Sequence, residues 1–274
     1  MNGRVARLCA WSGIGMVVFW MVGFWFFAGF VPPPSPAATA QEITRLYLAH
    51  PNSIRFGLLL TMVGSALLAP YCALISVQLR RVEGERALLA NTQLILGATL
   101  ILEFIFPVMA LEAALFRPDR PEAAIQTVSD IVWITFVGTV STAVLQLIVI
   151  GIGMLQDQRT EPIFPRWGGY LNIWIGLIFA CGGLCVFFKT GPFAWNGIFA
   201  FWVPLSVFGI WIASMTYLLL KAVAGDEAAG PPGGALDTRE QVELLTVQLG
   251  DLRRQLGLDT PAPAERQAMT GPAS

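Results

Sequence analysis

LLANTQLILGATLILEFIFPVMALEAALF, residues 88–116, contains no Lys or Arg and only two carboxyl groups, Glu103 and Glu112. A hydrocarbon core about 30 Å thick is crossed by roughly 20 helical residues rising about 1.5 Å each, so this run is long enough to span a bilayer. In lipid, backbone amides must be bonded within their own segment unless strands close into a barrel. The run lacks the alternating polarity of barrel strands, which leaves a membrane helix.

Five more apolar runs reach that length, at residues 11–31, 56–77, 131–155, 168–188 and 195–220. Across the 274 residues 55% are hydrophobic and 13% charged, about half the charged share of a soluble domain. The expected fold is all-α: a polytopic six-helix membrane bundle over residues 1–224, with a short C-terminal amphipathic or coiled-coil helix. The first run follows Arg4 and Arg7 and precedes Ala38-Thr39-Ala40, as in a signal peptide, but it exceeds the usual hydrophobic core of about 7 to 15 residues. It is read as a retained span.

With six spans, eight basic residues near the membrane share the side of the termini (Arg4, Arg7, Arg80, Arg81, Arg86, Arg159, Arg166, Lys221), against five opposite (Arg45, Arg55, Arg117, Arg120, Lys189). Basic residues are retained on the cytoplasmic side, so both termini are expected there. The opposite loop opens with Pro32, Pro33, Pro34 and Pro36, which stiffen it. Thr39 and Glu42 then have capping-box spacing, and Ile43, Leu46 and Tyr47 give the following helix an apolar face suited to the membrane interface. After the sixth run, Gly225 to Ala235 reads as a flexible linker. A helix over 236–257 follows, in which Val242, Leu245, Leu249, Leu252 and Leu256 keep a/d heptad spacing, a seam for a second copy or another membrane protein. Residues 258–274 read as a disordered tail.

Glu103 is the sharpest functional candidate, because a carboxyl in mid-span is costly unless neutralised, hydrated or paired. Thr99 shares its face, and Pro107 one turn on withholds a backbone donor. On the fourth run Thr135, Thr139, Thr142 and Gln146 follow helical intervals, so Gln146 is expected to bond Glu103. Such a centre serves either as interhelical glue or as the polar point of a substrate or proton path. Glu112 and Asp130 read as interfacial. Phe187, Phe188, Trp195 and Trp202 form an interfacial belt or the wall of a site for an apolar molecule.

Several chemistries are disfavoured. The formal net charge of −1 and the lack of a basic stripe argue against nucleic acid. The one histidine, His50, lies in a loop, so paired-His haem, di-iron and HExxH zinc sites do not form within the chain; no Walker loop or GxSxG elbow occurs. Cys9, Cys72, Cys181 and Cys185 read as small packing residues, without disulfide, metal or cofactor. FPRWGGY at 164–170 and FFKTGPFAWNG at 187–197 resemble segments of a group of bacterial six-helix membrane proteins without an established activity. The resemblance implies a bacterial cytoplasmic membrane and the same helix count. The leading expectation is a non-enzymatic accessory or assembly component in contact with membrane lipids. A small transporter or binder of an apolar molecule, centred on Glu103 and Gln146, comes second, and a membrane enzyme third.

Overall fold

The computed structural model describes residues 2–117, 119–229 and 238–255. The chain forms two compact units, Met1–Gly225 and Asp226–Ser274. In the first, six segments are long and apolar enough to cross a membrane: Gly3–Phe27, Pro51–Glu83, Leu88–Leu115, Glu122–Leu155, Arg166–Phe187 and Ile198–Ala228, the last running just past the boundary. No strand occurs among the described residues. The fold is an all-α six-helix bundle.

Only the third segment, α5 (Leu88–Leu115), is one uninterrupted α-helix. In the first, α1 (Gly3–Trp20) widens into a π-helical stretch, Met21–Phe27, and the Ala28 N–H bonds the Gly23 carbonyl five residues back at 2.9 Å. The loop helix α2 (Ala40–Ala49) follows. The second segment, expected as one helix, is α3 (Pro51–Ser65) and α4 (Leu68–Glu83) with a break between them. Pro70 explains it: proline has no N–H for the Ala66 carbonyl, which accepts from Ala69 at 3.1 Å instead.

The fourth segment is also divided, into α6 (Glu122–Gly138) and α7 (Ser141–Leu155). Thr139 sits between them at φ −81°, ψ 83°, and the Val140 N–H reaches the Gly138 carbonyl at 3.0 Å, an inverse γ-turn. Gly138 and the β-branched Val137, Thr139, Val140 and Thr142 have low helix propensity, which makes this the cheap place to turn. The fifth segment, α8 (Arg166–Phe179), tightens into a 3-10 helix, Ala180–Phe187. The sixth begins as a π-helical turn, Ile198–Trp202, and continues as α9 (Val203–Ala229). Pro204 cannot donate to the Ala200 carbonyl, which interrupts the ladder at that handover.

Two corrections concern the pieces outside the spans. Helix α2 does carry the capping box, with Glu42 accepting from the Thr39 N–H at 2.8 Å and donating its own N–H to the Thr39 hydroxyl at 3.3 Å. Its apolar face divides, however: Ile43 and Tyr47 are buried against α6, and only Leu46 of the expected face is exposed. Trp133 Nε1 donates to Tyr47 Oη at 3.0 Å, and Tyr47 Oη and Ser129 Oγ are 2.8 Å apart. The preceding loop is tied down by Trp195 Nε1 on the Pro34 carbonyl (2.8 Å) and Gln126 Nε2 on the Ala38 carbonyl (3.0 Å). Residues 32–50 thus cap one end of the bundle, the distal end; the chain enters at the proximal end. The second correction is that Gly225–Ala229, expected as linker, continue α9; the rest of the linker expected up to Ala235 lies outside the described residues.

In the second unit α10 (Thr238–Gln255) is helical where the heptads are. Val242, Leu245, Leu249 and Leu252 are exposed; Leu256 and the tail expected at 258–274 lie outside the described residues.

Candidate functional site

The irregularities of four spans converge on one cavity of about 110 Å³. Trp20 faces it from the last turn of α1, Thr139 and Val140 from the γ-turn, Phe179 and Gly182 from the α-to-3-10 change, and Ala200, Phe201 and Pro204 from the π-helical turn. Helix α5 adds Leu100 and Phe104, α6 Phe136, α7 Ala143 and Gln146, and α9 Phe208 and Trp211. Non-helical backbone at membrane depth is tolerated where it is buried in protein or lines a cavity, and π-bulges gather at functional sites.

The rings hold one another in place. Trp20 meets Phe104 edge-on with centroids 4.7 Å apart, and Phe208 stacks on Trp211 at 5.9 Å. Both indoles spend their N–H away from the cavity. Trp20 Nε1 donates to Ser65 Oγ at 3.1 Å, and Trp211 Nε1 to Asn172 Oδ1 at 2.8 Å. Asn172 is itself fully buried, its amide donating to the Gly168 carbonyl at 2.8 Å.

Two polar side chains remain on the lining, Thr139 and Gln146. Gln146 is 2% exposed, and its Nε2 is spent on Cys72 Sγ and the Gln93 carbonyl, both at 3.3 Å. Its Oε1 accepts no hydrogen bond among the described residues, nor is the Thr139 hydroxyl bonded. Gly97 makes room for this amide: a side-chain carbon there would stand 2.7 Å from Gln146 Nε2 and 2.5 Å from Cys72 Sγ. Gly182 plays the same part for backbone, since a carbon there would stand 3.1 Å from the Val137 carbonyl oxygen and 3.6 Å from that of Ala200. The cavity is therefore aromatic, with hydrogen-bond acceptors on one wall.

The expected polar centre divides into two. Glu103 is half-buried and accepts from Thr142 Oγ1 at 2.5 Å; it does not meet Gln146. The register of α7 on α5 explains this, because Thr142 and Gln146 stand one turn apart on the same helix. The intact helix α7 then runs antiparallel to α5, with Thr142 level with Glu103 and Gln146 level with Gly97 and Gln93. Thr99 is exposed and bonds its own helix at the Ile95 carbonyl (3.0 Å), so it belongs to neither group. Of the four aromatic candidates, Phe187, Phe188 and Trp202 are exposed, as a belt requires, whereas Trp195 is buried and holds the loop.

The cavity rings Trp20, Phe104, Phe136, Phe179, Phe208 and Trp211 escaped the sequence reading. Their signal was depth: each lies well inside its run, where an interfacial role does not apply. Among the described residues no three His, Cys, Asp or Glu side chains gather closely enough to hold a metal ion, and all four cysteines are free thiols. Compared with family models, curated proteins and solved structures, the chain matches none of them.

Proposed function

We propose that this protein is a membrane-embedded binder of a small apolar molecule, ring-sized and carrying one O–H or N–H donor. The observation that carries the reading is the aromatic cavity on which the irregularities of four spans converge and whose lining includes Gln146 and Thr139, with Gln146 Oε1 and the Thr139 hydroxyl unspent. Ligand sites are typically apolar with a few placed polar groups. The volume is of the order of the roughly 150 Å³ cavities that hold one benzene ring. A donor on the ligand satisfies Gln146 Oε1, and an apolar analogue leaves it unpaired. One such bond is worth about 1 kcal/mol, or about fivefold in affinity. The resemblance carried by residues 164–170 and 187–197 supports a bacterial cytoplasmic membrane, and the basic-residue count supports both termini inside.

Phenol and toluene are suitable probes with the full chain in nanodiscs. Phenol should raise the unfolding temperature at about fivefold lower membrane concentration than toluene. Thr139→Val and Gln146→Leu should erase that difference, and Ala143→Phe, which fills the cavity, should abolish the response to both. An Ala143→Phe protein that responds as the parent does would sink the reading.

A second reading, an assembly component acting through self-association, is favoured by the exposed heptad stripe of α10. The two readings are compatible, since the stripe and the cavity belong to different units.

A further inference from the structure

At the distal end a second cleft, of about 490 Å³, runs between α3 and α5. Its walls are Phe56, Leu58, Leu59 and Met62 on one side and Val108 and Met109 on the other, with Asn52, Arg55 and Glu112 at its mouth. Arg55 stands in the second turn of α3 and Glu112 in the last turn of α5, so both lie near the distal ends of their spans. From Arg55 to Met62 the apolar floor extends about 10 Å along the helix axis, the direction of an acyl chain.

The ion pair at the mouth is incomplete. Arg55 Nε donates to Glu112 Oε2 at 3.1 Å, and this is the one hydrogen bond of either side chain among the described residues. Both terminal guanidinium nitrogens and Glu112 Oε1 stay open. The guanidinium carbon lies 6.0 Å from the Phe116 ring centroid, which steadies it over an aromatic face. The two side chains are 41% and 21% exposed.

We infer that this cleft binds a phospholipid with a primary-ammonium zwitterionic headgroup, its phosphate on Arg55, its ammonium on Glu112 and an acyl chain along Leu59, Met62 and Met109. Charge complementarity selects this occupant. Arg pairs well with phosphate through two parallel N–H bonds. An ammonium has N–H donors for Glu112 Oε1; a choline headgroup has none. An anionic glycerol headgroup brings the phosphate without a cation and sets it beside the Glu112 carboxylate.

The full chain, delipidated and incubated with equimolar phosphatidylethanolamine, phosphatidylcholine and phosphatidylglycerol, tests the site by native mass spectrometry. The parent should retain phosphatidylethanolamine about fivefold over either competitor. Arg55→Gln should lose the retention of all three headgroups at this site. Glu112→Gln should remove the ethanolamine preference and raise phosphatidylglycerol to at least equal retention. Arg55→Lys, which keeps the charge, should still favour phosphatidylethanolamine and serves if the glutamine variant fails to fold. Equal retention of the three lipids by the parent, or a phosphatidylethanolamine preference that survives Glu112→Gln or survives Met62→Trp, which blocks the cleft, overturns the proposal.

Discussion

Glu42 carries the loop's clearest dependence on pH. The Thr39 backbone N–H, and after it the Thr39 hydroxyl, hold its carboxylate below the ordinary value of 4.5. A group whose value is lower in the folded protein stabilises it fully above 4.5 and loses that contribution as pH falls through the lower, folded value. Amide protection factors in the first turn of α2, corrected for the pH dependence of intrinsic exchange, should therefore hold steady at and above 4.5 and fall only below it, whereas Glu42→Gln should show no such fall. A protection profile flat into strong acid in the parent would contradict this. Tyr47, on the same helix, is pushed up from its ordinary value by burial, so its hydroxyl stays protonated and bonded throughout that range. The capping box was legible from Thr39 and Glu42 alone, because capping is a contact between neighbours in sequence. The Glu103 partner was half legible. The facing stripe on the fourth span was visible, but which of its residues meets Glu103 depends on the register of α7 against α5, which belongs to tertiary packing.

Helix breaks decide the site, and they differ in how plainly the sequence announces them. Pro70 and Pro204 sit inside apolar runs and each withholds a donor, so both irregularities have a local cause that run length alone conceals. The first span has no proline, and its π-helical stretch goes with a close crossing. A side-chain carbon at Gly23 would stand 2.5 Å from the Gly57 carbonyl oxygen, and one at Gly57 would meet the Ala28 nitrogen at 2.8 Å. Backbone on both sides of that contact leaves no flexible side chain to yield. Gly57→Ala should thus destabilise the bundle by about 1–3 kcal/mol in a detergent-titration unfolding experiment. Gly209, in α9, has nothing within 4 Å of the same added carbon. Gly209→Ala should be neutral or stabilising by up to about 1 kcal/mol, the helix propensity difference. Equal effects of the two substitutions would show that the crossing does not set the geometry of the first span.

For the whole molecule, the separation into two units makes a division of labour testable. The bundle buries its own cores, one around Tyr71, Ile75, Met215 and Leu219 and one around Phe24, Phe30, Tyr47 and Trp133, and both lie within Met1–Gly225. Among the described residues of α10, the heptad residues Val242, Leu245, Leu249 and Leu252 are exposed in the single chain. An 18-residue helix is marginal alone, and Gly250 costs it about 1 kcal/mol relative to Ala. Two copies confined to one bilayer face each other at high effective concentration, which favours a seam that dilute peptides would not form. Truncation after Ala229, which keeps α9 whole, should leave the bundle's unfolding and its phenol response unchanged while reducing the particle mass in nanodiscs to one chain. Leu249→Asp together with Leu252→Asp in the full chain should do the same by burying unpaired charge in the seam. If both variants keep the parent's mass, the heptads do not form a seam between copies. If the truncated bundle itself fails to fold, the two units are not independent, and the binding cavity and the C-terminal helix must be understood as one device.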